Sequence, residues 1–226
     1  FGFAALMGYL TGDGSFAKGN PIVTASETEV VKHLETIAEA HGWVLRRDGR
    51  YGYHVRKPTR QGQGDGTSAQ ERLREYISPA KSADKRVPLC IFQANREDLC
   101  AFLAAYFNCD GTVDARKQGV AEFYSVSEGL LRDVQHLLTR LGVYSRLRPK
   151  RGKYRGEVHH SWRLTIEGQD VVALADALPV VGERGRKLRE VAEQARARSH
   201  YPEYEAIPPA WKELLNRAPK SGWKRG

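Results

Sequence analysis

Two stretches of the chain are almost unbrokenly apolar, and each runs into the same short polar tip. The first, residues 3–16, reads F-A-A-L-M-G-Y-L-T-G-D-G-S-F; the second, residues 99–113, reads L-C-A-F-L-A-A-Y-F-N-C-D-G-T-V. A run that is apolar on every side over helical length predicts a buried helix, here near residues 3–12 and 99–109. Small residues recur on both: Ala5, Gly8 and Gly12 on the first, Ala101, Ala104, Ala105 and Cys109 on the second. Amphipathic helices are predicted near 27–41 and 128–141, ending at Gly42 and Gly142, and shorter ones near 68–77 and 168–178. Between them, alternation and turn residues predict strand pairs near 15–24, 43–57, 112–125 and 143–165. Q-G-Q-G-D-G-T-S at 61–68 reads as a loop and 83–95 as a connector. Beyond about residue 201, prolines break the periodicity around one short helix near 210–216.

The two halves repeat each other. Asp13 and Asp110, and Gly42 and Gly142, are each separated by about a hundred residues, and the elements between them come in the same order. The prediction is an α+β protein of two pseudo-symmetric αββαββα repeats, spanning 1–95 and 96–200, with a C-terminal extension over 201–226.

Composition narrows the function. The longest apolar run, residues 99–107, is far short of the roughly twenty residues of a membrane span, and no signal-peptide pattern is present. Cys90, Cys100 and Cys109 are odd in number and lack a C-x-x-C pair. That argues against a disulfide scaffold or structural zinc and for reduced thiols in a cytoplasmic protein. The seven histidines show no metal-ligand spacing. With 36 Lys and Arg against 27 Asp and Glu, a net +9 favours a polyanionic partner.

An aspartate at a helix C-terminus is locally unfavourable, because the free carbonyls there already carry negative charge. The following Gly14 and Gly111 are explained as helix C-cap glycines; Asp13 and Asp110 are not explained by caps. Placing the acid there twice builds two negative tips suited to a hard divalent cation. Small-residue faces would let the helices touch and bring the tips together, an arrangement suited to one phosphodiester cut in each strand of a duplex.

L-M-G-Y-L-T-G-D-G and L-A-A-Y-F-N-C-D-G resemble the paired motifs of the LAGLIDADG homing endonucleases. D-K-R-V-P at 84–88 and S-V-S-E-G-L-L-R-D-V-Q-H-L-L-T-R-L-G-V at 125–143 are similar to those embedded in prokaryotic inteins. The resemblance spans about residues 1–195. It implies an antiparallel β saddle on duplex DNA with the motif helices at its centre, cutting both strands across the minor groove and leaving short 3′ overhangs. It implies Mg²⁺, two or three divalent ions, held by Asp13 and Asp110 with the carbonyls of Gly12 and Cys109. It also implies one basic residue per centre: Lys85 in the first, Lys187 of R-G-R-K-L-R as its counterpart, with Arg86 and Arg186 beside them as alternatives. Thr11 and Asn108 depart from the usual Asp of the motif, at a position that is not the metal ligand.

Two basic, aromatic-studded hairpins supply the expected DNA contacts. They present Arg46, Arg47, Arg50, Tyr51, Tyr53, Arg56 and Lys57 in the first repeat. In the second they present Arg146, Arg148, Lys150, Arg151, Lys153, Arg155 and His159, with Arg116 and Lys117 nearby. The chain opens at the first motif and ends without the His-Asn that closes an intein. The expectation is therefore a nuclease domain taken from an intein, or a free-standing relative, without splicing activity. Its expected partner is double-stranded DNA at a long asymmetric site, with no membrane and no obligate protein partner, in the cytoplasm. A binding-only regulator and an RNA maturase are the competing readings.

Overall fold

A computed structural model describes residues 2–16, 21–58, 69–77, 81–115, 119–154 and 157–197. The 61–68 loop, the helix near 210–216 and the 201–226 extension lie outside them.

The first apolar run forms α1 (Gly2–Asp13) and the second forms α5 (Arg96–Asp110). Neither carries a charge along its middle, and residues 4–11 of α1 and 99–108 of α5 are buried. α5 starts three residues earlier than its apolar run, because the Asn95 side chain accepts the Asp98 amide at 2.8 Å and caps it. In the first repeat α1 is followed by β1 (Gly14–Ser15), β2 (Ile22–Thr24), α2 (Thr28–Ala40), β3 (Val44–Asp48), β4 (Gly52–Arg56) and α3 (Ala69–Arg74). A 3₁₀ turn (Ser82–Asp84) and the short α4 (Leu89–Phe92) lead into the second repeat. After α5 come β5 (Gly111–Asp114), β6 (Val120–Ser125), α6 (Glu128–Arg140), β7 (Arg146–Tyr154), β8 (Glu157–Glu167) and α7 (Gln169–Ala177).

Each repeat builds a four-stranded antiparallel sheet in the same order, β1-β2-β4-β3 and β5-β6-β8-β7. The two sheets flank the α1–α5 pair to form the saddle, and one continuous core of Leu, Val, Phe and Tyr side chains joins helices and sheets. Both amphipathic helices end alike. Gly42 and Gly142 have φ of 69° and 78°, the Trp43 amide reaches back to Ala38 O at 2.8 Å, and the Val143 amide to Leu138 O at 3.0 Å. That is the Schellman turn, which needs a residue without a Cβ penalty in the left-handed region.

Two expectations are corrected. Gly14 and Gly111 are not left-handed caps; Gly111 is extended, at φ −86° and ψ 149°. They are glycine because the strand leaves tight against the helix. A Cβ would lie 2.3 Å from Leu10 Cα at Gly14 and 2.4 Å from Phe107 O at Gly111. The second correction is an added helix, α8 (Gly182–Ala197), beyond the last predicted element near 168–178. Leu188, Val191, Ala192 and Ala195 bury its inner face, the i, i+3, i+4, i+7 pattern of an amphipathic helix. Among the described residues no helix is long and apolar enough to cross a membrane.

Candidate active site and nucleic-acid interface

α1 and α5 touch backbone to backbone because their facing positions are small. A Cβ on Gly8 would fall 2.3 Å from the Phe102 carbonyl oxygen, and one on Gly12 would fall 2.4 Å from Cys109 Cβ. The Cys109 thiol lies against the Tyr9 carbonyl, at 3.7 Å. The helices finish together, so Asp13 and Asp110 emerge at one end and sense each other. Burial pushes the Asp110 carboxyl up to about 6, and the negative charge of Asp13 pushes the same way, against Lys85, a Tyr106 hydrogen bond and Arg184. Burial also raises Asp13, opposed by Lys85 and Arg184. Cys109, between them, is raised by burial and then by Asp13. Thr11 and Asn108, where the motif usually carries Asp, bond within α1 and across to it. The Thr11 hydroxyl donates to Met7 O at 2.8 Å, and the Asn108 amide donates to the Tyr9 hydroxyl at 3.2 Å.

One cation closes each helix end. Lys85 Nζ donates to Thr11 O at 2.8 Å and Gly12 O at 2.6 Å, saturating carbonyls at the α1 C-terminus. At α5 the corresponding group is Arg184, whose Nε donates to Gly111 O at 2.8 Å and Nη2 to Cys109 O at 3.4 Å. Lys187 does not reach the site. It lies on the outer face of α8 and pairs with Glu183 at 2.6 Å, because Arg184 shares a helical face with Leu188 and Lys187 does not. Arg186 likewise points away, to Glu29 at 2.9 Å. On the duplex cutting that the family resemblance implies, Lys187→Ala should therefore stay within about twofold of the parent, whereas Arg184→Ala should be slower on the order of a hundredfold; rate measurements on the two variants decide the assignment.

Two carboxylates whose proton affinity is raised by burial, Asp110 by the charge of Asp13 as well, form a donor set a divalent cation would relieve. Among the described residues no third His, Cys, Asp or Glu side chain joins them. The remaining protein oxygens at the tips are backbone carbonyls, Gly12 O engaged by Lys85 and Cys109 O by Arg184. Such a half-built shell suits a hard cation completed by phosphate and water oxygens.

Known proteins match parts of the chain. A model of the LAGLIDADG-like domain matches residues 97–177. The chain is 29% identical over 228 residues to the replicative DNA helicase DnaB of Rhodothermus marinus, covering 95% of this chain and 24% of that protein. It is 43% identical over 68 residues to the NrdEB alpha subunit of ribonucleoside-diphosphate reductase from Bacillus subtilis, covering 29% of this chain and 6% of that one. It thus spans no more than a quarter of these curated relatives. Among solved structures, I-DmoI in complex with DNA and Ca aligns with a TM-score of 0.51 at 14% identity, over 81% of this chain and 94% of that one. Residues 97–177 thus match a LAGLIDADG-like domain, and the chain shares its fold with I-DmoI.

Strand register sorts the basic residues of this protein by face. Val23, Val55, Ala121, Phe123, Leu164 and Ile166 turn into the core, so their neighbours in sequence line the open face. Arg46 and Arg56 lie there in the first sheet, and Arg146, Arg148, Lys150 and His159 in the second. Arg50 and Tyr51 sit on the β3–β4 turn with the guanidinium over the ring, 4.9 Å from its centre, and Lys57 follows β4.

Three expected contacts fall on the wrong side. Tyr53 shares the face of Val55 and packs against the core. Arg47 pairs with Tyr53 on that face and donates to Arg50 O at 3.0 Å. Arg151, opposite His160, alternates away from Lys150. Lys153 is opposite Val158 in the ladder, and its side chain, with Arg116, Lys117 and Arg155, lies outside the described residues. Arg163 was missed: it is on the open face opposite Arg148, near Glu122 at 3.5 Å. Tyr124 was missed too, with Lys150 Nζ 4.0 Å from its ring centre. Alternation from Leu164 would have flagged Arg163.

Proposed function

We propose that this protein is a divalent-metal-dependent, site-specific DNA endonuclease that cuts both strands of a duplex, as a single chain whose two repeats stand in for a dimer. The observation that carries this is the pair of acid tips at the adjoining ends of α1 and α5, each with its own cation, beneath two sheets of matching topology. The division at residue 95, the extension from 201, and Mg²⁺ as the ion, in two or three copies, belong to the same proposal. So do cutting across the minor groove and short 3′ overhangs, a long asymmetric target and the absence of an obligate protein partner.

Asp13 and Asp110 would hold the cation, which when bound supplies Lewis acidity and a more acidic water. Lys85 and Arg184 keep the helix ends closed and place positive charge where the phosphate gains negative charge. Among the open-face arginines, Arg146 and Arg163 are held by Glu167 and Glu122; such arginines are suited to bidentate reading of guanine edges, while Lys150 favours phosphate.

The structurally similar I-DmoI was solved with DNA and calcium, which supports the same partner and class of ion here. The chain also matches small portions of a helicase and of a reductase, two proteins with different chemistry. A segment common to such hosts fits a mobile insertion with its own activity, as in an intein.

The test is incubation of the protein with a plasmid library carrying randomised duplex inserts, with Mg²⁺ or with a chelator. Linear product that requires the ion is expected. Tight duplex binding without cutting, under any divalent ion, would overturn the nuclease reading in favour of a regulator; selective binding of structured RNA would favour a maturase.

A further inference from the structure

The two site cations are not held by the repeats whose helix ends they close. Lys85 serves α1 of the first repeat, yet the strap that carries it is fastened to the second. The Ser127 hydroxyl, at the N-cap of α6, donates to Lys85 O at 2.8 Å. Buried Asp133, in the second turn of α6, accepts from Arg86 Nε at 2.6 Å, Arg86 Nη2 at 2.7 Å and the Val87 amide at 3.2 Å. The second repeat mirrors this. Arg184 serves α5, and the start of α8 is fastened to the first repeat. Glu27, at the N-cap of α2, accepts from Arg184 Nη1 at 3.0 Å and from the Glu183 amide at 2.9 Å. Ser127 and Glu27 occupy equivalent N-cap positions, so the crossing obeys the pseudo-twofold axis.

We infer that Asp133 and Glu27 are positioning residues that set each cutting centre from the opposite repeat, so that damage to one repeat's second helix slows the cut made at the other repeat's motif. The inference rests on the proposed nuclease activity and deepens it. A bidentate carboxylate–guanidinium pair fixes both distance and plane. With Asp133 neutralised, residues 85–87 keep one hydroxyl contact and lose the charged clamp, and Lys85 Nζ no longer has a fixed origin from which to reach Thr11 O and Gly12 O. Glu27 acts on Arg184 directly, through the guanidinium itself.

The experiment measures nicking of each strand separately, on a duplex selected with the parent protein and end-labelled on either strand, in Mg²⁺. Lys85→Met and Arg184→Met define which strand depends on which centre. Asp133→Asn is expected to slow the Lys85-dependent strand by about tenfold or more relative to the other, in the range of outer-shell partners elsewhere. Glu27→Gln is expected to slow the Arg184-dependent strand, inverting the bias. Equal slowing of both strands, or slowing of the same strand by both variants, would overturn the inference and leave only a structural role.

Arg86→Gln provides a second route should Asp133→Asn fold poorly, because the Arg86 side chain is 65% exposed; it is expected to give the Asp133 bias. A readout independent of cutting is the acylation rate of Lys85, followed by mass spectrometry. It should rise in Asp133→Asn and Arg86→Gln, and an unchanged rate would sink the inference even if the parent cuts DNA. Protection of Lys85 that is lost in the variants, in a parent that does not cut, would retain the strap and discard the nuclease.

Discussion

Asp110→Asn should abolish double-strand cutting, by a factor on the order of a thousand or more, and at the same time raise the melting temperature of the metal-free protein. Both effects have one source. In the folded chain the Asp110 carboxyl is raised to about 6, first by burial and then by Asp13, against roughly 3.9 in an unfolded chain. The sign follows from linkage: a raised carboxylate contributes stability when protonated, fully below its unfolded value, and loses it as pH rises through about 6. At neutral pH the ionised group therefore costs the fold roughly 1–3 kcal/mol, its partial exposure setting the lower bound. The uncharged amide removes that cost and should raise the melting temperature by about 3–8 °C near pH 7.5.

The gap should close below about pH 4, where the parent carboxyl is protonated as well. A divalent ion should reverse the order, stabilising the parent and not the variant. Asp13→Asn should match it in lost cutting, and duplex binding should survive in both variants. Calorimetry with and without Mg²⁺, beside a cutting assay, tests all of this. A variant that melts lower without metal, or that still cuts, would remove Asp110 from the site.

The acid tips were legible because they occur twice. One Asp-Gly after an apolar helix has many explanations, whereas two at matching positions in matching halves do not. Lys85 came from the resemblance of D-K-R-V-P to intein-embedded nucleases, and the structure places its ammonium on the α1 carbonyls. Arg184 was not legible that way. Matching R-G-R-K-L-R to the first strap letter by letter selects a lysine, but these residues are helical, and a helix ranks its side chains by angle. Leu188, Val191, Ala192 and Ala195 define the buried face, and extending it one turn back arrives at Arg184.

The basic hairpins show the same limit. Their charge was visible as a block, yet only the ladder separates Arg46 and Arg56 from Arg47 and Tyr53. The period of a strand is two, so one residue exchanges groove for core. Gly14 and Gly111 show a different limit. A glycine needed for a left-handed cap and one needed for a close passing backbone are the same letter, and only the packing tells them apart.

Gly8 is where helix pairing and chemistry meet, and Gly8→Ala should cost more than its single methyl suggests. Most overpacking is relieved by swinging a side chain aside, but here the new Cβ meets backbone, the Phe102 carbonyl oxygen at 2.3 Å, with Ala105 Cβ at 2.9 Å. Neither can rotate away, so α1 and α5 must separate or slide. The higher helix propensity of alanine, about 1 kcal/mol, does not offset losing contact along the central interface, and a net loss of roughly 3–5 kcal/mol is expected. That corresponds to a melting temperature lower by about 10 °C.

Gly2→Ala is the matched control on the same helix. Its Cβ would find Ile37 and His41 atoms at 3.5–3.6 Å, ordinary contacts, and stability should stay within about 1 kcal/mol of the parent. Cutting by any folded Gly8→Ala protein should fall further than its stability requires, because spreading the helices moves the Asp13 and Asp110 tips apart. Gly8→Ala and Gly2→Ala melting at the same temperature would mean that α1 and α5 do not touch at Gly8.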